Sequence, residues 1–392
     1  MAVLRFGHAC YRGLVLVLAL ASTVAVSTPA VAAFETEARQ ALLLDINTGS
    51  VLFEKNSDEL MPPASMSKMM TVHMVFERLK EGKLKTDDAF IVSENAWRKG
   101  GAKSGGSTMF LNIGEEVTVD DLLHGIIVQS GNDACIVVAE GLAGSEAAFA
   151  ERMTQRAREL GLKNSTFTNA TGWPDPNHMT TAWDLALLAK ATIEQFPELY
   201  KLYSVKEFTH NGIRQGNRNP LLYKNMGADG LKTGHTEASG YGLTASAQQG
   251  ERRLILVLNG LPSIKARTEE ADRIMSWGFR EFGNHKLAEA GDALAEADVW
   301  LGTDDTVPLT VAKDLVITMP RNSRKDMTAT VRYKAPVPAP IAAGEEIAVL
   351  TITAPDMVPA EIPLVAAASV DQAGMFGRLF SRVKQAALAQ TN

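Results

Sequence analysis

The chain has 392 residues, of which 46% are hydrophobic, and a formal net charge of -6. This length and composition allow two or three globular domains and exclude a disordered or fibrous protein. The Lys and Arg residues are scattered along an acidic chain, so the sequence offers no basic surface for a nucleic acid. Nucleic acid is therefore excluded as a partner.

The N-terminus has the features of a secretory signal. Arg5 and Arg12 precede an apolar run at 14–26, and the small-residue sequence Ala30-Val31-Ala32 follows. This order predicts cleavage before Ala33 and export of the mature chain. An uncleaved membrane anchor is the alternative, although the apolar run is shorter than the roughly 20 residues that a membrane span needs.

A β-hairpin is predicted at the start of the mature chain, because runs of strand-forming residues at 41–46 and 51–54 flank a turn sequence. Pro62 and Pro63 then interrupt the chain. Methionines follow Ser65 at near-helical spacing, and we interpret them as core residues. The pattern predicts that Ser65 lies at the N-terminus of a helix.

Two helical segments, at 120–128 and 134–142, are interrupted by Ser130-Gly131-Asn132, and a further helix is predicted at 181–194. Cys135, in the second segment, is interpreted as a buried, unreactive thiol. Three strands are predicted further along the chain, at 230–236, 240–247 and 252–259. Strands at both ends of the region with helices between them predict an α+β domain.

The pattern changes in the last quarter of the chain. Short β-like runs separated by prolines predict a small all-β domain over 291–372. Residues 373–392 combine apolar residues at helical spacing with basic residues, which predicts an amphipathic helix on an anionic membrane surface. A helix packed on its own domain is the alternative. The predicted organisation is thus a signal at 1–32, an α+β domain at 33–290, the β domain and the tail.

Three short motifs occur in order: Ser65-Met66-Ser67-Lys68, Ser130-Gly131-Asn132 and Lys232-Thr233-Gly234. Each is weak by itself, since S-x-x-K recurs at 381–384 and S-x-N recurs at 93–95. Their conjunction predicts acyl transfer through a serine nucleophile that is activated by a lysine.

Ser65 and Lys68 are three residues apart, so on a helix they share one face and the amine can reach the hydroxyl. A lysine acts as a base only if its pKa falls. Burial, the helix N-terminus and a second cation, Lys232, would all lower it. We therefore predict Ser65 as the nucleophile and Lys68 as its base.

The loop with Ser130 and Asn132 lies between two helices, where it can project both side chains into a cleft. The Ser130 hydroxyl would pass a proton to the leaving amine, and Asn132 would hold a substrate carbonyl. A plain helix-capping turn is the alternative.

Lys232, Thr233 and Gly234 lie on a predicted strand. The absence of a side chain at Gly234 would let an extended peptide pair with the strand edge. Backbone N–H groups of Ser65 and His235 would then face the developing oxyanion.

A peptide that ends in a carboxylate also needs cations. Arg218 and Arg267, with the Thr233 hydroxyl, are the candidates, and for each arginine a plain surface position is the alternative. The sequence contains no metal-binding or phosphate-binding motif, so no cofactor is expected.

Taken together, these motifs resemble the low-molecular-mass penicillin-binding proteins of peptidase family S11, the D-alanyl-D-alanine carboxypeptidases. Further stretches of similarity lie at 63–71, 217–219, 229–236 and 277–280. The resemblance implies a penicillin-binding/β-lactamase-like transpeptidase domain, an antiparallel sheet with helices, followed by a small all-β domain and a C-terminal amphipathic helix.

The resemblance also implies a function in cell wall remodelling. The protein would remove the terminal D-alanine from peptidoglycan stem pentapeptides through an acyl-serine intermediate on Ser65, and β-lactams would acylate the same serine. Arg218 and Arg267 would bind the terminal carboxylate. The tail would attach the periplasmic protein to the outer face of the inner membrane.

Two alternatives remain open. A class A β-lactamase shares two of the motifs, but those enzymes usually have Asp where this chain has Gly131, and 160–190 contains no clear deacylating glutamate motif. A non-catalytic wall-binding receptor is the other alternative. Measurements of penicillin turnover and D-alanine release would distinguish the carboxypeptidase from these two alternatives.

Overall fold

A computed structural model of the protein describes residues 35–374, apart from 356 and 358. The predicted secretory signal at 1–32 and the helix predicted in the C-terminal tail lie outside the described residues. None of the helices in the described ranges has the length and hydrophobicity that a membrane-spanning segment needs.

The strands are numbered in chain order. They are β1 Gln40–Asp45, β2 Val51–Lys55, β3 Ala89–Ile91, β4 Glu116–Thr118, β5 Glu207–His210, β6 Ile213–Gly216, β7 Ala228–Thr236, β8 Gly240–Gln249, β9 Arg252–Leu261, β10 Phe282–Ala288, β11 Ala295–Trp300, β12 Thr306–Thr310, β13 Leu315–Pro320, β14 Thr328–Tyr333, β15 Val337–Pro338, β16 Glu346–Thr353 and β17 Ala360–Ala366. The α-helices are α1 Lys68–Lys80, α2 Glu94–Gly100, α3 Val119–His124, α4 Asn132–Ala143, α5 Glu146–Glu159, α6 Ala182–Gln195, α7 Pro197–Tyr200 and α8 Ile264–Glu281.

A five-stranded antiparallel sheet, in the order β2-β1-β9-β8-β7, forms the centre of the first domain. Successive side chains of a strand point to opposite faces of a sheet. On β9, Ile255 and Val257 therefore join the core of the helical layer that contains α1, α4 and α6. Leu254 points to the other face, where it packs near Gly278 of α8. The sheet is thus covered by helices on both faces.

A second domain consists of β strands. Strand β10 pairs with β13, and a six-stranded sheet follows in the order β14-β16-β17-β12-β11-β15. Its core is aliphatic and includes Val307, Leu309, Leu350 and Leu364, all buried. The predicted fold class, an α+β domain followed by a small all-β domain, is confirmed. Strand β10 begins at Phe282, ahead of the expected boundary at residue 290.

Candidate active site

The Ser65 hydroxyl lies against the amine of Lys68. Ser65 lies in a single 3-10 turn, Ala64–Ser67, and α1 begins at Lys68, whose side chain is fully buried. The Nζ of Lys68 is 2.9 Å from Oγ of Ser65, 2.7 Å from Oδ1 of Asn132 and 2.6 Å from the carbonyl oxygen of Thr171. A neutral amine fits this environment, because its two N–H groups can donate to the two carbonyl oxygens while its lone pair accepts from Ser65.

The electrostatics favour that neutral amine. Burial lowers the pKa of Lys68 to about 8, and the positive charge of Arg218 acts in the same direction. Burial also lowers the pKa of Lys232 well below its ordinary value, with the charge of Lys68 as a further cause. Burial raises the pKa of the Cys135 thiol to about 12, which agrees with its interpretation as unreactive.

Ser130 has a strained backbone and an unpaired hydroxyl. It follows a π-helical turn, Gly125–Gln129, and adopts a left-handed conformation with φ 62° and ψ 31°. Its buried Oγ has no hydrogen-bond partner, so it remains available for proton transfer. The start of α4 is anchored by Asp133, whose carboxylate accepts from the Thr108 hydroxyl at 2.6 Å and from the Met109 N–H at 2.8 Å.

Gly234 lies where β7 passes the turn that carries Ser65. A Cβ at this position would lie 2.8 Å from the carbonyl oxygen of Pro63 and 3.2 Å from Cβ of Ala64. Packing of β7 against the Ser65 turn therefore requires the glycine. This reason adds to the one expected from sequence, the approach of an extended peptide to the strand edge, which stays a prediction.

Two arginines and a histidine surround the end of the cleft near Tyr241. Arg267 of α8 is 6% exposed, its Nε has no hydrogen-bond partner, and its guanidinium lies 5.9 Å from the Tyr241 ring centroid. Burial and the charge of Arg218 lower the pKa of Arg267 to about 10. Arg218 donates to Oγ of Ser107 at 2.5 Å. His235 lines the cleft, and its exposed imidazole stacks on the Tyr241 ring.

A cleft of about 520 Å³ brings the sequence-predicted residues together. All of them line it except Lys68 and Lys232, which are buried beneath its floor. The lining residues named by the sequence analysis are Ser65, Ser130, Asn132, Arg218, Thr233, Gly234, His235 and Arg267. The cleft thus carries the Ser65 hydroxyl, the unpaired Ser130 hydroxyl and the two arginines.

Sequence reasoning missed the loop at 169–173, which forms one wall of the cleft. The side-chain oxygen of Asn169 accepts from the backbone N–H groups of Thr171, Gly172 and Trp173, and so fixes the loop. This places the Thr171 carbonyl on Lys68 and leaves Trp173 46% exposed at the cleft. The short sequence Asn-x-x-Gly is the signal that could have identified a tight loop here.

The second S-x-N sequence has a structural role. Ser93 caps the N-terminus of α2 by accepting from the Ala96 N–H, and its hydroxyl donates to Glu140 at 2.6 Å. The second S-x-x-K sequence, at 381–384, lies outside the described residues. Among residues 35–374, no group of three or more His, Cys, Asp or Glu side chains could hold a metal ion.

A sheet between two helical layers, with the S-x-x-K, S-x-N and K-T-G motifs around one cleft, defines the penicillin-binding class of α+β proteins. The chain belongs to the D-alanyl-D-alanine carboxypeptidase family (peptidase S11), whose family model matches residues 23–262. A second family model, described as penicillin-binding protein 5, C-terminal domain, matches residues 282–372.

The chain is also similar to individual members of this family. The D-alanyl-D-alanine carboxypeptidase DacA of Escherichia coli K12 is 37% identical over 353 residues, which cover 89% of this chain and 88% of that protein. The crystal structure of penicillin binding protein 5 from Haemophilus influenzae is similar with a TM-score of 0.77 and 37% identity, over 86% of this chain and 99% of that one. Penicillin-binding protein D2 of Listeria monocytogenes, solved in its ampicillin-bound form, has a TM-score of 0.55 and 28% identity over 63% of this chain and 99% of that one.

Proposed function

We propose that this protein is a serine-type carboxypeptidase that removes the terminal D-alanine from peptidoglycan stem pentapeptides in cell wall remodelling. The observation that carries the proposal is the hydrogen bond of 2.9 Å between Ser65 and a fully buried Lys68 whose pKa is lowered to about 8. An amine that loses its proton near neutral pH beside a hydroxyl can act as a general base.

Acylation begins when Ser65 Oγ attacks the carbonyl carbon of the penultimate D-alanine while its proton passes to Lys68. The C–N bond to the terminal D-alanine then breaks as Ser130 passes its proton to the leaving amine and takes the proton held by Lys68, so that both residues return to their starting states. The unpaired hydroxyl of Ser130 supports this role. Lys68 then takes a proton from water as its oxygen attacks the ester carbonyl carbon. The bond between the acyl carbon and Oγ of Ser65 breaks, Lys68 returns the proton to Ser65, and the shortened peptide leaves with a free carboxylate.

Different residues of the cleft would bind the two ends of the peptide. The backbone N–H groups of Ser65 and His235 would stabilise the oxyanion, and the amide of Asn132 would hold the acyl side. Arg218 and Arg267 would bind the terminal carboxylate. The unpaired Nε of buried Arg267 supports this, because a buried guanidinium donor without a partner is costly unless a ligand satisfies it.

β-Lactams would acylate the same serine, because a β-lactam presents a reactive carbonyl next to a carboxylate as the peptide does. Similarity to a penicillin-binding protein solved in its ampicillin-bound form supports this. The lactam amine stays attached to the acyl group after ring opening, so the adduct would be long-lived.

The direct test is Ser65→Ala in the mature protein. We expect the variant to release no D-alanine from a peptide ending in Lys-D-Ala-D-Ala and to give no penicilloyl adduct by mass spectrometry. Ser93→Ala is the matched control, since this serine belongs to the second S-x-N sequence and caps α2. Persistent release by the Ser65 variant would end the proposed mechanism.

The location is also part of the proposal. The N-terminal signal would direct the chain to the periplasm, and the basic amphipathic tail would bind the outer face of the inner membrane. Deletion of residues 374–392 should abolish sedimentation with anionic vesicles and leave D-alanine release intact. Unchanged sedimentation would remove the anchoring role.

A further inference from the structure

Arg218 lies in a short segment, residues 217–219, that belongs to no helix or strand. We call this segment the arginine loop. It connects β6 to a 3-10 turn at Pro220–Tyr223. The Arg218 side chain is exposed and lines the cleft, whereas Asn217 and Asn219 on either side of it are 7% and 0% exposed. The position of the guanidinium therefore depends on how the two buried asparagines hold the loop.

Asn217 fixes the first half of the arginine loop. Its Nδ2 donates to the carbonyl oxygen of Val205 at 3.0 Å, and its Oδ1 accepts from the Asn219 N–H at 3.0 Å. Its own backbone N–H donates to the carbonyl oxygen of Lys206 at 2.7 Å. Because Val205 and Lys206 immediately precede β5, this side of the loop is held by the segment that leads into the β5–β6 hairpin.

Asn219 joins the arginine loop to β7. Its Nδ2 donates to the carbonyl oxygen of Gly230 at 2.7 Å, and its Oδ1 accepts from the Leu221 N–H at 3.1 Å, which caps the 3-10 turn. Strand β7 is the outermost strand of the five-stranded sheet, and its K-T-G motif begins two residues after Gly230. One buried amide therefore connects the arginine to the strand of the K-T-G motif.

The Gly230 carbonyl is itself held in place. The carboxylate of the neighbouring Asp229 accepts from the Tyr200 hydroxyl at 2.8 Å and forms an ion pair with Arg253 at 2.7 Å. A Cβ at Gly230 would lie 2.5 Å from the Tyr200 hydroxyl oxygen, so the strand lies directly against this residue. Tyr200 is only 4% exposed. The start of β7 is thus a fixed point from which Asn219 can hold the arginine loop.

We propose that Asn219 is a positioning residue for Arg218. It sets the distance between the Arg218 guanidinium and the Thr233 hydroxyl on β7, so that both groups bind one carboxylate. This inference rests on the proposed function, in which Arg218 binds the terminal carboxylate of the substrate. An arginine binds a carboxylate strongly only in the right geometry, and a displacement of about 1 Å is enough to weaken the contact.

The test uses two acylating ligands that differ only in the carboxylate, benzylpenicillin and its methyl ester. The ratio of their acylation rate constants measures the contribution of the carboxylate, and any effect on Ser65 or Lys68 cancels in this ratio. Asn219→Ser removes the donor to Gly230 and leaves a hydroxyl that can accept from Leu221. We expect the ratio to fall about tenfold, while the methyl ester reacts at close to the wild-type rate.

A double-mutant cycle with Arg218→Gln shows whether Asn219 acts through the arginine. Arg218→Gln alone should lower the ratio at least as much, and adding Asn219→Ser to it should lower the ratio no further. Additive effects of the two substitutions would overturn the proposal, because Asn219 would then act without Arg218. Asn217→Ser, which removes the donor to Val205, is a second variant that should lower the ratio as Asn219→Ser does.

Asn284→Ala is the matched control. This asparagine accepts from the Thr318 hydroxyl at 2.8 Å, lies on β10 and does not line the cleft. It should keep the wild-type ratio even if the protein loses stability. An unchanged ratio in Asn219→Ser would overturn the positioning role and leave the proposed function in place. If the wild-type protein were acylated by neither ligand, the proposed function itself would fail.

Discussion

The side-chain oxygen of Asn132 accepts a hydrogen bond from Nζ of Lys68 at 2.7 Å, which joins two motifs that are 64 residues apart in sequence. The bond fixes the orientation of the amide, because Oδ1 faces the amine and Nδ2 must face away from it. Gly106 lies on that side, and a Cβ there would lie 2.6 Å from Nδ2. The absence of a side chain at Gly106 thus keeps Nδ2 open to the cleft as a donor.

Asn132→Asp should shift the pH dependence of acylation to higher pH. A carboxylate close to the amine favours the charged form of Lys68, so its pKa should rise above the value of about 8, and a higher pH would be needed to form the neutral base. The measurement is the rate of acylation by a fluorescent penicillin from pH 6 to pH 10. Asn322→Asp, at an exposed position of the β domain, is the control. If the low-pH side of this rate profile, its acid limb, did not shift, the group at position 132 would not influence the pKa of Lys68.

Two charge-neutralising substitutions should move the same acid limb in opposite directions. The positive charge of Arg218 lowers the pKa of Lys68, and the negative charge of Glu146 raises it. Arg218→Gln should therefore shift the limb to higher pH, and Glu146→Gln should shift it to lower pH. Acylation by penicillin across pH reports both shifts. Movement of both variants in one direction would contradict Lys68 as the group that titrates.

Much of the site could be predicted because its parts are short motifs with a local geometry. The three-residue spacing of Ser65 and Lys68 places them on one helical face whatever the rest of the chain does. Burial, in contrast, depends on distant elements: the layer over Lys68 comes from α4 and from the loop at 169–173. The sequence therefore predicted that the pKa of Lys68 would be lowered. Which elements bury the amine became visible only in the fold.

The parts that sequence reasoning missed have other physical causes. The Thr171 acceptor is a backbone carbonyl, and any residue type can supply one. Helix α5 was not predicted although Phe149, Met153 and Ala157 recur at four-residue spacing and are buried, a signal that could have identified it. Gly234 was predicted, but its contact with Pro63 was not, because the neighbours of a strand glycine are set by tertiary packing.

Gly234→Ala should lower both stability and acylation. The added methyl group would meet the Pro63 carbonyl at 2.8 Å, with Cβ of Ala64 and Cγ of Met66 both at 3.2 Å, so little room is left for adjustment. We expect a loss of about 1–3 kcal/mol in the free energy of unfolding, as for other overpacking substitutions, and a slower reaction with penicillin because the Ser65 turn is displaced. Chemical denaturation and acylation kinetics measure the two effects.

The control is Gly216→Ala, whose Cβ would meet only ordinary contacts, the nearest being the Tyr223 hydroxyl at 3.5 Å. Its stability and acylation rate should stay close to wild type. If Gly234→Ala matched this control in both measurements, the close approach of β7 to the Ser65 turn would be refuted.

His178 links the 169–173 loop region to the S-x-x-K turn in a neutral form. Its Nε2 lies 2.7 Å from Oγ of Ser67, and the Thr168 N–H donates to its Nδ1 at 3.2 Å. Because Nδ1 accepts, Nε2 carries the proton and donates to Ser67. The imidazole is 2% exposed, and burial lowers its pKa to about 4.

His178→Gln should flatten the loss of stability on acidification. The unfolded chain takes up this proton near pH 6.5 and the folded protein only near pH 4, so the wild-type contribution is complete above pH 6.5 and falls by about 2–3 kcal/mol as the pH drops through this window. A glutamine amide can still donate to Ser67 but does not titrate. Urea unfolding at intervals from pH 7 to pH 4 measures the slope, with His235→Gln, at an exposed imidazole, as the control. Equal slopes for wild type and His178→Gln would mean that His178 is already protonated in the folded protein at mildly acidic pH, and its hydrogen bond from Thr168 would have to be abandoned.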